Sequence, residues 1–277
     1  MMGSGIAEVV ARAGFETFVV EPAEAGLDAA RERIGDSVRR AVDAGKLDPD
    51  AAEVLLARLH FVTAIDHLPA CRVAIEAVFE DVAVKRDVFR QLDRHLPPDA
   101  ILASNTSSIP IAELAAATGR ADRVLGLHFF SPAPVMRLVE IVDALDTAPE
   151  TLEAAGEFVA DLGKTGIVTK DRSGFVVNML LVPYLLAAVR MYEEGFASAE
   201  AIDVGMRLGC GHPMGPLTLC DFIGLDVLCA IGDSLYAEFR QPEYATPPLL
   251  KRMVAAGRLG RKSGRGFYDY APVAAAA

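Results

Sequence analysis

Segments typical of β-strands alternate with segments typical of α-helices over the first 170 residues, and this alternation constrains the fold more than any other feature. The strand-like segments are residues 15–21, 60–63, 72–78, 100–104, 124–130 and 138–140. The helical segments between them include residues 24–44, 49–58 and 82–96. Strands that alternate with helices are typical of crossover units on a mostly parallel sheet. The sequence therefore predicts an α/β domain.

Helical periodicity dominates the chain beyond residue 170. The helical segments there are residues 175–194, 199–208, 216–239 and 247–256, separated by Gly and Pro turns. We therefore expect an α/β domain over residues 1–170 and an all-helical domain over residues 171–277. The apolar stretch 175–189 contains Asn178 and Pro183 and is too short to span a bilayer, so a buried core helix is expected rather than a membrane segment.

The amino-terminal residues resemble part of a dinucleotide-binding motif. Gly3 and Gly5 begin a helix-like segment, and Glu21 ends the next strand eighteen residues after Gly3, close to the spacing at which an acid binds the ribose 2′-hydroxyl of NAD. If Gly3 is the third glycine of GxGxxG, the first two glycines and the central first strand precede residue 1. If Gly3 and Gly5 are instead the first two glycines of GxGxxG, Glu8 occupies the position of the third glycine. We expect a doubly wound, Rossmann-like sheet without its first strand, because the natural product begins upstream or the protein is damaged.

A histidine and a glutamate lie near the ends of two neighbouring strand-like segments. His128 follows Val124–Leu127, Glu140 ends the next segment, and the proline-rich turn at residues 131–134 connects them. An imidazole and a carboxylate placed in this way form a general base and the group that orients it. The pair predicts removal of a proton from a hydroxyl group. A core histidine and a surface acid are the alternative interpretation.

Charge and cysteine content exclude several classes of partner. The net charge is -11 and no basic run is present, which argues against nucleic acid binding. The four cysteines show no spacing typical of metal ligands, so we expect no metal. Unpaired thiols and the lack of a signal peptide indicate a cytoplasmic protein.

Eight short motifs, in order along nearly the whole chain, resemble those of the L-3-hydroxyacyl-CoA dehydrogenase family, and of its bacterial 3-hydroxybutyryl-CoA dehydrogenases in particular. They are Asn-Thr-Ser-Ser (105–108), Gly-Leu-His-Phe-Phe (126–130), Pro-Val-Met (134–136), Leu-Val-Glu (138–140), Gly-Phe-Val-Val-Asn (174–178), Gly-Pro-Leu (215–217), Gly-Leu-Asp (224–226) and Gly-Arg-Gly-Phe-Tyr-Asp (264–269). The resemblance implies oxidation of a short-chain (3S)-3-hydroxyacyl-CoA, as in fatty acid metabolism, with NAD as hydride acceptor. It also implies an acyl-CoA site and a homodimer formed through the helical domain.

The resemblance also implies a role for each matching residue. His128 matches the catalytic base, Glu140 the carboxylate that holds it, Ser107 a hydroxyl that contacts substrate and nicotinamide, and Asn178 the amide that binds the reacting oxygen. The cofactor-binding positions are Gly3, Glu21, Glu80, Lys85, Ser107 and Ser131. Two positions depart from the common pattern, since Ser131 replaces a frequent Asn and Met179 a frequent Arg.

Other interpretations of the same residues stay open. The fold could act on a sugar acid or a polyol, or it could be a non-catalytic dinucleotide-fold protein if the first strand is truly absent. Ser107 could belong to a helix cap near Pro110. Glu80 and Lys85 could form a solvated ion pair at the start of a helix, and Glu21 could be an ordinary strand-end acid.

Overall fold

The computed structural model describes residues 2–270 of the chain. Two compact units divide the chain, Met1–Arg172 and Ser173–Ala277. The first contains seven strands and six helices, and the second contains five helices among the described residues. An α/β unit followed by a helical unit confirms the predicted fold class.

The elements of the first unit alternate as the sequence predicts. They are α1 (Met2–Arg12), β1 (Thr17–Val20), α2 (Glu24–Asp43), α3 (Pro49–Ala57), β2 (Leu59–Val62), β3 (Val73–Glu76), α4 (Val82–His95), β4 (Ile101–Ser104), α5 (Ile111–Ala115), β5 (Val124–Phe129), β6 (Leu138–Asp143), α6 (Pro149–Asp161) and β7 (Thr165–Lys170). Carboxylates cap several helices: Asp48 accepts hydrogen bonds from N–H groups of α3, and Asp81 accepts one from α4. Such caps satisfy the backbone donors that a helix leaves unpaired at its first turn.

The strands form two separate sheets. β1 and β2 pair in parallel, and the other five strands form a sheet in the order β3-β4-β5-β6-β7. All pairs in this larger sheet are parallel except β5–β6. β4 and β5 are buried along their full length because each is apolar and has strands on both sides. The mostly parallel arrangement was predicted from the alternation of elements.

A large cavity separates the two sheets. Among residues 2–270, no strand lies between β1 and β3, and both of these strands line a cavity of about 2340 Å³. The sequence predicted that the central strand of the doubly wound sheet would be missing from this position. The cavity-facing edges of β1 and β3 consequently lack a ladder partner among the described residues.

Two details of the first unit differ from the sequence-based expectation. Strand β6 continues past Glu140 to Asp143, so this glutamate lies in the middle of the strand and not at its end. Strand β7 was not predicted, because Thr165, Thr169 and Lys170 interrupt its apolar pattern and it lies exposed at the sheet edge. It pairs along the whole of β6 and thereby covers that strand.

The second unit is built from five helices. They are α7 (Val177–Glu193), α8 (Ala199–Cys210), α9 (Pro216–Ile223), α10 (Leu225–Phe239) and α11 (Pro248–Ala255). The prediction of one helix over residues 216–239 was wrong, because Gly224 has φ 104°, a conformation that ends α9. Buried Asp203 of α8 accepts hydrogen bonds from the N–H groups of Leu217 and Thr218 and so caps α9. In the described part of the chain, no helix has the length and apolar character needed to cross a membrane.

Candidate active site

His128 and Glu140 form a buried pair in the larger sheet. They are directly opposite each other in the antiparallel β5–β6 ladder, which places both side chains on the same face. The His128 Nδ1 atom lies 2.7 Å from Glu140 Oε2. His128 is 7% exposed and Glu140 is fully buried. The expected pairing of these two residues is therefore present in the structure.

Neighbouring groups hold this pair in place. The backbone N–H of Phe129 donates to Asn105 Oδ1 at 2.8 Å, which ties the end of β5 to the loop after β4. The Phe130 ring meets the imidazole edge-on, with 4.7 Å between centroids. The ring nitrogen that faces a carboxylate fixes the tautomer, so proton transfer at Nε2 is the chemistry that this geometry allows. A histidine held in this way can serve as a general base.

Five of the predicted cofactor-binding residues line the cavity between the two sheets. They are Gly3, Glu21, Glu80, Lys85 and Ser107. Their positions follow from the topology, since Glu21 follows β1, Glu80 follows β3 and Ser107 follows β4. Ligands of open α/β sheets bind outside the carboxyl ends of the strands. Residues that are distant in sequence are thus brought to one cavity.

Glu80 and Ser107 belong to one hydrogen-bonded network beside this cavity. Glu80 Oε1 accepts from the Thr106 hydroxyl, from the Ser107 N–H at 3.2 Å and from the Ser108 hydroxyl at 3.0 Å. Its Oε2 atom lies 3.2 Å from Lys85 Nζ. Burial alone would raise the pKa of Glu80, but the hydrogen bonds and the Lys85 charge together hold this pKa below its usual value. The carboxylate is therefore kept charged beside the cavity.

Glu76 is a member of this network that the sequence analysis missed. Its Oε1 atom accepts from Lys85 Nζ at 2.7 Å, and its Oε2 atom accepts from the Ser104 hydroxyl at 2.7 Å. Lys85 is only 1% exposed and Glu76 only 3%. The sequence did contain a signal: Lys85 lies on the same face of α4 as buried Phe89 and Leu92, and a lysine on a buried face needs a counter-charge.

The other three residues that were expected to bind the cofactor are Glu21, Gly3 and Ser131, and their surroundings differ. The Glu21 side chain lies over Gly26, where an added Cβ would come within 2.3 Å of Glu21 Cγ. Gly3 lies in the first turn of α1, where an added Cβ would make only an ordinary 3.7 Å contact with Ala77. A side chain at position 26 would therefore displace the Glu21 side chain, whereas position 3 has room for a Cβ. Ser131 is exposed after β5 and is not among the residues that line the cavity.

Asn178 lies in the second compact unit. It is the second residue of α7 and is partly buried. Met179, which replaces a frequent arginine, receives a weak hydrogen bond on its sulfur from the Tyr244 hydroxyl at 3.7 Å and packs against the helical core. Among the described residues, no cluster of His, Cys, Asp and Glu side chains could hold a metal ion.

Comparison with known proteins shows the family. Residues 1–172 match the model of the 3-hydroxyacyl-CoA dehydrogenase NAD-binding domain, and residues 174–270 match that of the C-terminal domain. A 3-hydroxybutyryl-CoA dehydrogenase of Mycobacterium tuberculosis is 55% identical over 97% of this chain and 95% of its own length. The crystal structure of M. tuberculosis FadB2 superposes with a TM-score of 0.96 at 55% identity, covering 98% of this chain and 95% of that one. The crystal structure of (S)-3-hydroxybutyryl-CoA dehydrogenase PaaH1 from Ralstonia eutropha superposes with a TM-score of 0.93 at 43% identity, covering 98% of this chain and 95% of that one. The chain belongs to the 3-hydroxyacyl-CoA dehydrogenase family.

Proposed function

We propose that this protein oxidises the 3-hydroxyl group of a (3S)-3-hydroxyacyl-CoA to a ketone, with NAD as hydride acceptor. The buried His128–Glu140 pair, 2.7 Å apart in a chain of this family, is the observation that supports the proposal most strongly. Short acyl chains are the proposed substrates, with 3-hydroxybutyryl-CoA foremost. Relatives that share 55% and 45% of their residues with this chain carry the name 3-hydroxybutyryl-CoA dehydrogenase, the second as a probable one.

The residues beside the cavity fit a dinucleotide. Glu21 stands at the carboxyl end of β1, where an acid can accept hydrogen bonds from a ribose 2′-hydroxyl, and this favours NAD over its 2′-phosphorylated form. The 11-residue helix α1 begins at the cavity, and the partial positive charge of a helix amino terminus favours phosphate. Glu80 and Ser107 line the same cavity. The network of Glu80 and Lys85 would hold the second half of the cofactor.

His128 removes the hydroxyl proton in the proposed reaction. A secondary alcohol has a high pKa, so the proton must begin to leave before the C–H bond can release hydride, and general base catalysis of this kind contributes about 10²–10⁴-fold. Glu140 orients the imidazole and stabilises its protonated form. Ser107 would donate a hydrogen bond to the oxygen as negative charge develops on it, and Asn178 of the second unit is proposed as a substrate-binding amide. NAD, when bound, accepts the hydride.

A substrate comparison tests the proposal. We expect the purified protein to oxidise NADH in the presence of acetoacetyl-CoA, with much weaker activity with NADPH. A panel of keto sugar acids and ketoses serves as the control, because the alternative function would use these compounds. If the protein reduces compounds of that panel but does not reduce acetoacetyl-CoA, the proposed substrate class is wrong.

We also propose that the protein is a homodimer formed through its helical unit. The exposed side of α7 carries Leu180, Ala187 and Met191, which repeat at the spacing of one helix face. Helix α8 exposes Val204 and Leu208, the second with 78% of its surface accessible. Exposed apolar patches of this kind are typical of protein interfaces.

All four cysteines are free, which supports the proposed cytoplasmic location.

A further inference from the structure

The buried network behind Glu80 contains more carboxylates than ammonium groups. Lys85 Nζ lies 2.7 Å from Glu76 Oε1 and 3.2 Å from Glu80 Oε2, so one lysine is shared between two glutamates. Glu76 and Lys85 are almost inaccessible to solvent, while the Glu80 side chain is 41% exposed. At their ordinary charges the three groups sum to −1. This excess charge is poorly screened because two of its three members are buried.

Hydrogen bonds fix the position of Glu76. It is the last residue of β3 and pairs in register with Ser104, the last residue of β4. The Ser104 hydroxyl donates to Glu76 Oε2 at 2.7 Å, and the Val78 N–H donates to Oε1 at 2.6 Å. The carboxylate is thus held at the carboxyl ends of two parallel strands, the edge at which an open α/β sheet binds its ligand.

The topology indicates which half of a dinucleotide the network would meet. The acid that binds the adenosine ribose ends the second strand of the first mononucleotide-binding half, which corresponds here to Glu21 after β1. Strands β3 and β4 belong to the second half, so Glu76 and Glu80 lie on the nicotinamide side. The nicotinamide ring carries a positive charge in NAD⁺ and none in NADH. A network with a net negative charge on this side stabilises bound NAD⁺ more than bound NADH.

We propose that the buried carboxylate of Glu76 is a specificity-determining group that shifts the affinity of the site toward NAD⁺ relative to NADH. This inference rests on the proposed NAD-dependent function. Glu76 lines the cavity but is only 3% exposed, so in this proposal it acts mainly through its charge, together with Glu80 and Lys85. A purely structural role would change both affinities by the same factor, so the ratio of the two dissociation constants distinguishes the two roles.

The test is the ratio of NAD⁺ and NADH affinities in Glu76→Gln. NADH binding is measured by its fluorescence and NAD⁺ binding by displacement of NADH. We expect the NAD⁺ affinity to fall roughly three- to tenfold more than the NADH affinity, since the network becomes neutral. Glu76→Asp keeps the charge and is expected to keep the wild-type ratio even if both affinities weaken. Asp93→Asn is the control, because Asp93 pairs with Arg120 in the same unit and does not line the cavity.

A second variant tests the same network if Glu76→Gln does not fold. Glu80→Gln neutralises the same network at its half-exposed member, and the ratio is expected to shift in the same direction. An unchanged ratio in the foldable variants would overturn the inference, as would a wild-type protein that binds neither nucleotide. The binding measurements need no substrate. A wild-type protein that binds both nucleotides but does not turn over acetoacetyl-CoA would therefore disprove the proposed substrate class while the inference is still tested.

Discussion

The Glu140 carboxylate is fully buried, and a basic side chain lies beside it. Burial of an isolated charge in a protein interior costs several kcal/mol. The His128 imidazole, 2.7 Å away, provides a hydrogen bond and, once protonated, a compensating charge. At the level of single residues, the sheet therefore holds a proton acceptor whose charged form has a counter-ion already in place.

Replacement of Glu140 tests this arrangement. Glu140→Gln keeps the size of the side chain but removes the negative charge and allows the amide to donate toward Nδ1, which favours the wrong tautomer. We expect kcat to fall by roughly 10²–10⁴-fold, with little change in the dissociation constant of NADH. Steady-state kinetics with acetoacetyl-CoA provide the measurement. Asp143→Asn, at the end of the same strand, is the matched control, and a Glu140→Gln enzyme within twofold of wild type would contradict the assigned role.

Some residues of the site were predictable from the sequence and others were not. His128 and Glu140 were predicted as a pair because each was expected near the end of one of two neighbouring strands joined by a short turn. Glu76 was missed, because it lies inside the strand-like segment 72–78 and the structure shows that the strand ends at this residue. Its partner Lys85 is nine residues away in sequence, and only the packing of α4 on the sheet brings the two charges together.

At the level of elements, apolar strands were predicted better than polar ones. β4 and β5 are buried throughout, so their composition alone identified them. β7 is an exposed edge strand that contains Thr and Lys, and its strand conformation depends on pairing with β6. The break between α9 and α10 depends on the positive φ of Gly224, a backbone conformation that helical periodicity does not reveal.

The separation of β1 and β2 from the main sheet predicts unequal local stability. Two-stranded sheets are marginally stable, and three of the four residues in each of these strands are only partly buried. We expect the amide protons of β1 and β2 to exchange at least tenfold faster than those of β4 and β5, because they open in local fluctuations. Hydrogen exchange followed by NMR or mass spectrometry measures this difference. Equal protection in both sheets would show that the cavity does not weaken the smaller one.

At the level of the whole molecule, the alternation of strands and helices was sufficient to predict the order of the two units. The two compact units divide between Arg172 and Ser173, close to residue 170, where strand-like segments end in the sequence. The pairing of strands was harder to predict because ladder partners are distant in sequence. The antiparallel β5–β6 pair matters most, since it aligns His128 with Glu140.

The proposed homodimer predicts how charged substitutions on its apolar faces change association. Leu180→Asp and Leu208→Asp place a charge on the exposed apolar faces of α7 and α8, and charge in the core of an interface opposes association. We expect these variants to sediment as monomers at micromolar concentration while the wild type sediments as a dimer. Leu145→Asp, at an 86% exposed position of the first unit, controls for a general effect of surface charge. A wild-type monomer, or variants that stay dimeric, would exclude this interface.

The His128 imidazole is the group proposed to remove the hydroxyl proton. The most direct test compares the turnover and the NADH affinity of His128→Gln, a variant that keeps a polar side chain but cannot act as a base near neutral pH. We expect kcat for acetoacetyl-CoA reduction to fall by at least about 10²-fold, while the dissociation constant of NADH stays within about twofold of wild type. A variant that turns over at the wild-type rate, or that loses NADH binding as severely as turnover, would contradict this role of His128.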